Sequence, residues 1–431
     1  MGRKVGNSIR CKLYSKVDAF GPISKRVLSI LGRINRNLGR YRVVPVCWMD
    51  EGKSFKSDRL REKAVGFSHT PCVPEVAKSR SVQVTVPEIF WRSLRNAYVN
   101  PGSSSVLAEG GVLHIERSGR GPQGEFDYRS ESFLRSHGNS QGIVKLEEGE
   151  VVEKGVFLGG NGSANYYHWM VEVLSRAEFL DELPAEYGEY PLLVSNAVEK
   201  YRSFKDGLDC VSKGRDVIYL NPRKSYLVGD VVYIDAANNL PINMRDGTHM
   251  NAEDFIFREE SIRYLRGLCF SDTGFLSIDD ASFPKRVFLA RSEERRSFNQ
   301  AEVESLLSGY GFVSVYLDSM SLFEQAKLFS EAEWIVGPTG AAWTNIIFAK
   351  PGARCVCWMA KELGDFSAFS TLARLVGADL RYLTFETGAE SMHDLYVGSY
   401  EVDCRLLNRT LMSFDGGKEL MSEVVEAGVQ K

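Results

Sequence analysis

A histidine and a glutamate four residues apart are one of three candidate groups for chemistry in this 431-residue sequence. His168 and Glu172 lie in the segment 165–176, whose apolar spacing predicts a helix, so both side chains should share one helix face. A neutral imidazole beside a carboxylate can act as a general base for a hydroxyl. We expect this role for His168 with Glu172, and hold Asp235 and Asp246 in reserve. A structural histidine among aromatic residues is the alternative.

Arginines form a second candidate group at the end of a predicted strand, 286–290. Arg291, Arg295 and Arg296 follow this strand, and Asn299 stands at the N-cap position of the next predicted helix. Guanidinium groups hold diphosphates through paired hydrogen bonds and offset charge that develops on a leaving group. The alternative is a solvated, charged loop.

A glycine-bearing turn between a buried strand and a helix is the third candidate. Such a turn allows close backbone approach to a ligand, and the free N–H groups of the helix start favour phosphate. It has neither the GxGxxG nor the P-loop pattern, so it could also be only a tight turn, and a nicotinamide-dependent oxidoreductase is disfavoured. The expected donor-binding residues here, with two that shape the pocket, are Gly337, Thr339, Gly340, Ala341, Ala342, Gln325 and Asn345.

These candidates need an α/β scaffold to bring them together. Strands and helices alternate over 81–270, which predicts a Rossmann-like domain with a mostly parallel sheet. The β-α-β-α-β-α-β pattern within 281–390 predicts a second, doubly wound domain. Residues 46–80 are predicted to be a linker or irregular, and 391–431 a C-terminal tail with helices.

The first 45 residues form a basic, amphipathic extension. They contain eleven Lys or Arg and one acidic residue, although the net charge of the chain is −3. The apolar spacing within 20–40 predicts peripheral contact with an anionic membrane, with packing on the protein's own core or a free basic arm as alternatives. Nucleic acid is not an expected partner, because the rest of the chain is acidic. Neither a membrane-spanning run nor a signal peptide is predicted, so the expected location is cytoplasmic, at the inner face of the plasma membrane.

The order of these motifs resembles family-61 glycosyltransferases over about residues 155–385. The segment 165–176 is similar to the family's N-Y-x-H-W helix, and the arginine strand and then the glycine turn follow in the family's order. The other residues that carry the resemblance are Asn299, Gly311, Phe312, Ser321, Glu324, Gln325, Thr344, Asn345, Phe348, Pro351 and Gly352.

The resemblance implies a GT-B architecture of two Rossmann-like domains facing a cleft, with the nucleotide held mainly by the C-terminal one. It implies an inverting transferase that needs no metal or cofactor, with a nucleotide-sugar donor and a glycan or lipid-linked glycan acceptor. Without a signal or an anchor, the chain is most similar to bacterial members that build capsule or lipopolysaccharide. Thr339 and Gln300 stand where many relatives carry His and Glu. These departures leave an inactive sugar- or nucleotide-binding scaffold of a glycan assembly complex as the alternative.

Overall fold

The computed structural model describes most of the chain as two compact units. Unit 1 comprises Met1–Val65, Thr85–Lys200 and Gly207–Thr248, and unit 2 comprises Gly66–Val84, Tyr201–Asp206 and His249–Lys431. The basic extension up to residue 39 lies outside the described residues, as do two candidates from the sequence, Arg295 and Asp246. The described ranges are 40–51, 55–73, 79–116, 127–130, 132–241, 250–279, 283–292, 296–388, 395 and 398–414.

Both units combine helices with sheets, so the predicted α/β class is confirmed in this coarse form. None of the helices in the described ranges is long and apolar enough to cross a bilayer. The first thirteen strands are β1 Tyr41–Trp48, β2 Lys56–Arg61, β3 Ala64–His69, β4 Ser81–Val86, β5 Ile89–Val99, β6 Val106–Leu107, β7 Leu113–Ile115, β8 Leu134–His137, β9 Gln141–Lys145, β10 Val152–Leu158, β11 Leu192–Ser195, β12 Val217–Leu220 and β13 Tyr226–Ile234.

The large sheet of unit 1 is mixed, where the sequence predicts a mostly parallel one. Its order is β12-β11-β10-β13-β5-β6-β7-β1-β9-β8, with β2 also paired to β5. Strands β3 and β4 form a separate ribbon, of which Gly66–Val84 belongs to unit 2. Strands β10 to β13 are parallel neighbours, but β13 runs antiparallel to β5. The turn-connected strands between β5 and β9 lack the crossover helices that parallel neighbours require, and most of them therefore pair antiparallel.

Residues 46–80, predicted as a linker or irregular, contain strands β2 and β3. The sequence of β2, KSDRLR, shows no apolar alternation because most of its side chains are exposed. Its strand conformation comes from pairing with β5, from Lys56 opposite Ser93 to Arg61 opposite Ile89. Such pairing leaves no local signal in a polar segment.

Two helices lie between the parallel strands of this sheet. Helix α1 begins as an α-helix over Tyr166–His168, widens to a π-helix over Trp169–Val173, and tightens to a 3₁₀-helix over Leu174–Glu182. The Asn165 side chain caps it by accepting a hydrogen bond from the Tyr167 N–H. Helix α2 covers Arg202–Ser212.

Unit 2 is built on a five-stranded parallel sheet in the order β15-β14-β16-β17-β18. The chain leaves β14 toward one edge and returns to β16 on the other side, so the topological switch point lies between these two strands, where open α/β sheets bind their ligands. Its elements are α3 Glu259–Phe270, α4 Thr273–Leu276, β14 Arg286–Leu289, α5 Gln300–Ser308, β15 Val313–Val315, α6 Leu322–Glu331, β16 Trp334–Pro338, a 3₁₀-helix Ala341–Phe348, β17 Arg354–Ala360, α7 Ala368–Val376, β18 Asp379–Phe385 and α8 Cys404–Met412.

The C-terminal helix α8 belongs to the core of unit 2. Leu407 and Leu411 are fully buried in one cluster with Phe288, Val336 and Trp358 of the sheet. The described part of the predicted tail therefore contributes apolar area that stabilises the sheet.

We predict that Gly337→Ala lowers the free energy of unfolding by about 1–3 kcal/mol, because overpacking a tight contact is destabilising. A Cβ atom at Gly337 would lie 2.7 Å from Leu289 Cβ on the neighbouring strand. Gly267→Ala is the matched control, since a Cβ there meets nothing within 4 Å and alanine favours a helix by about 0.5–1 kcal/mol. Urea unfolding measures both. A similar effect of the two changes would contradict the prediction.

Candidate functional site

In unit 1, helix α1 holds His168 and Glu172 in contact. His168 Nδ1 and Glu172 Oε2 are 2.7 Å apart. A carboxylate can only accept a hydrogen bond, so Nδ1 carries the proton and Nε2 is the basic nitrogen of the neutral ring. Glu172 also lies within the π-helical turn, a distortion that is frequent at functional sites. The pair predicted from the four-residue spacing is therefore present, with the tautomer that a general base needs.

Four residues after Glu172 on the same helix, Arg176 is a charged residue in the interior of unit 1. Its side chain is 1% exposed. Its Nη2 donates to Glu116 Oε2 at 2.9 Å, and its Nε donates to the Glu172 carbonyl at 3.1 Å. A third hydrogen bond joins Nη1 to the Gly159 carbonyl at 3.4 Å. Burial, the largest single influence, would lower the pKa of Arg176, but Glu116, Tyr233 and Asp235 together raise it, so the guanidinium stays charged.

Glu116 is the centre of the same buried network. The Tyr233 hydroxyl donates to Glu116 Oε2 at 2.8 Å, and the Ala236 N–H donates to Oε1 at 2.6 Å. The Arg176 guanidinium lies 5.1 Å from the Tyr233 ring centre. Burial raises the pKa of Tyr233 well above its usual value, so its hydroxyl remains a donor.

The segment after β13 makes two further hydrogen bonds to helix α1. The Asn238 side chain donates to the Val171 carbonyl at 2.8 Å, and the Leu240 N–H donates to Glu172 Oε1 at 2.6 Å. Both oxygens of Glu172 are thus occupied, one by His168 and one by the backbone. With one oxygen held by the imidazole and the other by the backbone, Glu172 is placed to orient His168.

The reserve candidate Asp235 is paired with Arg92 and accepts the Phe90 N–H at 3.0 Å. Burial raises its pKa, while Arg92 acts in the opposite direction. Asp235 is held by Arg92 in a salt bridge, whereas the contact of His168 with Glu172 engages only Nδ1 and leaves Nε2 outside it. The geometry therefore favours His168.

In unit 2, Arg291 lies at the switch point between β14 and β16. Its Nη2 donates to the Thr339 carbonyl in the glycine turn at 2.6 Å. The Gln300 side chain makes two hydrogen bonds to the Arg291 backbone. Gln300 Oε1 accepts from the Arg291 N–H at 3.0 Å, and Gln300 Nε2 donates to the Arg291 carbonyl at 3.3 Å. Two motifs 48 residues apart in the sequence therefore meet where ligands of such sheets bind.

Arg296 is a second cation close to this turn. It is largely buried, and its φ of +57° lies in the left-handed region that bulky residues seldom adopt. Such strain concentrates at ligand-binding sites, where the surroundings over-determine the backbone. The Arg291 Nη1 group approaches the Arg296 carbonyl at 3.5 Å, which places the two predicted residues side by side.

The residues of the glycine turn have different structural roles. Gly337 allows β16 to pack closely on Leu289. At Gly340, an added Cβ would lie 3.3 Å from Arg291 Nη2, so this glycine leaves room for the guanidinium. Thr339 is buried. Ala341 and Ala342 are partly exposed at the start of the 3₁₀-helix, where the first N–H groups have no partner within the helix.

The remaining predicted residues bond to the protein itself. Asn345 Nδ2 donates to Gln325 Oε1 at 2.7 Å, and both side chains are buried. The Asn299 side chain bonds to both backbone groups of Val402 and does not cap α5. These three residues support the loops around the turn.

The sequence did not single out Glu116, Tyr233 or Asn238 for this site. They come from two separate segments, one after β7 and one at the end of β13, and their only local signal is a polar residue at or after the end of a buried strand. Arg176 was noted as part of a motif, but its partner Glu116 lies 60 positions earlier in the chain.

A comparison with protein families identifies the central part of the chain. Residues 166–356 match the family model described as Glycosyltransferase 61. These residues are similar to that family and are called the glycosyltransferase 61 region below. The resemblance inferred from the motifs is thereby confirmed, and the match supports a transferase. No curated protein matches the chain.

The glycosyltransferase 61 region contains both candidate groups but not all of their supports. His168, Glu172 and Arg291 lie inside residues 166–356. Glu116, which accepts a hydrogen bond from Arg176, precedes that span. Val402, which accepts a hydrogen bond from Asn299, follows it. Segments on either side of the matched region are therefore needed to complete the geometry.

We predict that Arg176→Met destabilises the protein by about 3–5 kcal/mol, because Glu116 would keep its buried charge without the partner. Arg61→Met is the matched control. Arg61 also forms a two-point pair with a glutamate, Glu182, but this pair is solvent-exposed and should contribute less than about 1 kcal/mol. Urea unfolding of both variants measures the difference. Equal losses would refute the structural role of the buried pair.

Proposed function

We propose that this protein is an inverting, metal-independent glycosyltransferase with a GT-B architecture. It moves a sugar from a nucleotide-sugar donor to a hydroxyl of a growing bacterial surface glycan, such as capsule or lipopolysaccharide. The observation that carries the proposal is the 2.7 Å contact between His168 and Glu172 within a glycosyltransferase 61 region. It supplies a base of the correct tautomer for hydroxyl activation.

In the proposed reaction, unit 1 holds the acceptor and His168 Nε2 takes the proton of its hydroxyl. The hydroxyl oxygen forms a bond to the anomeric carbon while the bond from that carbon to the nucleoside diphosphate breaks. One displacement inverts the anomeric centre. Glu172 stabilises the imidazolium that forms, as a carboxylate does when it accepts from Nδ1–H.

Unit 2 is proposed to hold the donor diphosphate at its switch point. Arg291 and Arg296, with Arg295 between the described segments, would bind the phosphate oxygens and offset the charge that develops on the leaving group. The exposed start of the 3₁₀-helix at Ala341 and Ala342 adds backbone donors. Guanidinium groups can take the charge-balancing role that a metal ion has in other transferases, which supports metal independence.

A nucleotide panel tests the function. We expect UDP, GDP, CDP or CMP to raise the thermal midpoint equally with and without manganese, and the matching nucleotide sugar to be transferred or slowly hydrolysed. Stabilisation by NAD alone would replace the proposal with an oxidoreductase. Nucleotide binding without any turnover would leave an inactive scaffold.

Two variants separate the proposed roles. His168→Ala should lower turnover by about 10²–10⁴-fold with nucleotide affinity kept, whereas Arg291→Ala should weaken nucleotide affinity by about tenfold or more. His69→Gln and Arg409→Ala are the controls, because they change the same residue types away from the two groups. Full turnover in a folded His168→Ala protein would remove His168 as the base.

Membrane contact through residues 20–40, at the inner face of the plasma membrane, is part of the same proposal. The basic composition of this segment supports it. We expect the full chain to float with anionic liposomes and a chain without residues 20–40 to remain in the dense fraction. Equal flotation of the two would exclude this contact.

A further inference from the structure

Helix α1 changes its hydrogen-bond period at the residues that hold the candidate base. The Leu174 N–H bonds to the Trp169 carbonyl across the π-helical turn, and the chain then continues as a 3₁₀-helix from Leu174. A π-helix joins residues five apart in the chain, whereas a 3₁₀-helix joins residues three apart. The change from one period to the other therefore leaves carbonyl groups between Trp169 and Leu174 that no backbone N–H of the helix can reach.

Side chains supply hydrogen-bond donors in this part of the helix. The Ser175 hydroxyl donates to the Val171 carbonyl at 2.6 Å, and Arg176 Nε donates to the Glu172 carbonyl at 3.1 Å. The Val171 carbonyl also accepts a hydrogen bond from Asn238 Nδ2 at 2.8 Å. Asn238 reaches the helix from the segment after β13, and it is fully buried. Side-chain donors thus take the place of backbone donors where the helix changes its period.

The Val171 carbonyl controls whether the turn can return to the ordinary α-helical period. In an α-helix it would accept the Ser175 N–H, four residues later. A carbonyl oxygen has two lone pairs, and the Ser175 hydroxyl and the Asn238 amide occupy both. The backbone N–H would have to displace one of them, and a buried amide that loses its hydrogen bond is unfavourable. The bond from Asn238 therefore favours the widened turn.

The width of this turn sets the direction in which Glu172 faces His168. His168 precedes the widened turn and Glu172 lies within it, so a return to the α-helical period would rotate Glu172 about the helix axis relative to His168. The segment that carries Asn238 also holds the second carboxylate oxygen of Glu172, through the Leu240 N–H at 2.6 Å. The 2.7 Å contact between Glu172 and His168 Nδ1 therefore depends on the bond that Asn238 makes.

We propose that Asn238 is a positioning residue for the reaction. It occupies the Val171 carbonyl and keeps helix α1 in its widened turn, and the widened turn keeps the Glu172 carboxylate on His168 Nδ1. This inference rests on the proposed function. Asn238 acts through the backbone of the helix and takes no part in the making or breaking of bonds.

The first measurement is the tautomer of His168, read by NMR from ¹⁵N-labelled histidine rings in the full chain without substrate. The chain has six histidines, so the signal that is missing from a His168→Ala sample assigns the ring. In the wild type we expect the proton on Nδ1, protected from exchange because the His168 and Glu172 side chains are only 11% and 12% exposed. In Asn238→Ala the Nδ1–H signal should give way to a mixture of both tautomers, since the carboxylate that selects Nδ1–H has moved.

The second measurement separates turnover from nucleotide affinity. Asn238→Ala should lower kcat by about 10–100-fold, as a misplaced base does, and should keep its nucleotide affinity because the donor is proposed to bind in unit 2. Asn238→Asp keeps the shape, but its ionised carboxylate cannot donate to the Val171 carbonyl, so it should show the same losses. Ser175→Ala removes the other side-chain donor to that carbonyl and should shift the tautomer and kcat in the same direction. It decides the outcome if the Asn238 variants do not fold.

Asn100→Ala is the matched control. Asn100 is also a fully buried asparagine of unit 1, and its amide likewise donates to backbone carbonyls, those of Pro222 and Lys224 at 2.8 and 2.6 Å. Its removal should cost the protein stability as the removal of Asn238 does, and it should leave the His168 tautomer and kcat as in the wild type.

An Asn238→Ala protein that keeps the wild-type tautomer or the wild-type kcat would overturn the inference. An equal loss of the Nδ1–H signal in Asn100→Ala would also overturn it, because the effect would then be one of general destabilisation. So would a wild type without the Nδ1–H signal. The tautomer is measured without substrate, so it tests the role of Asn238 even in a protein that transfers no sugar. A wild type that shows the signal but neither binds nucleotides nor transfers a sugar would contradict the proposed function alone.

Discussion

A guanidinium that is removed from water must have its charge and its N–H groups matched by the protein, and Arg176 imposes this requirement on unit 1. Glu116 balances the charge, while the carbonyls of Glu172 and Gly159 accept the remaining bonds. Glu116 in turn fixes the backbone at Ala236. The position of helix α1, and with it His168, thus depends on one buried ion pair between distant segments.

Unit 2 depends on a topological constraint. In its parallel sheet, neighbouring strands β14 and β16 leave their carboxyl ends side by side, so the loops that follow them must meet. Arg291 and the carbonyl of Thr339 meet there. The glycines serve this contact sterically: Gly337 permits the strand packing and Gly340 leaves space for the guanidinium. The Gln300 side chain makes two hydrogen bonds to the Arg291 backbone.

Local sequence patterns were sufficient to predict those features whose structure and chemistry depend on residues close together in the chain. The i, i+4 spacing of His168 and Glu172 survives even though the helix widens to a π-turn between them. The β-α repeat of unit 2 was readable because strands β14, β16 and β17 are almost entirely buried and give continuous apolar runs. The polar strand β2 and the mixed sheet of unit 1 were not readable, because pairing with β5 determines them.

The sequence by itself determined the α/β class, the family resemblance, and the residue types able to act as a base and as phosphate ligands. Only the tertiary structure decided which of these residues have groups available to bind a ligand. Asn345, Gln325 and Asn299 have their hydrogen bonds within the protein, while Ala341 and Ala342 are partly exposed at the start of a helix. The physical reason is that hydrogen-bond satisfaction depends on partners far apart in the chain, and such partners leave no trace in local spacing.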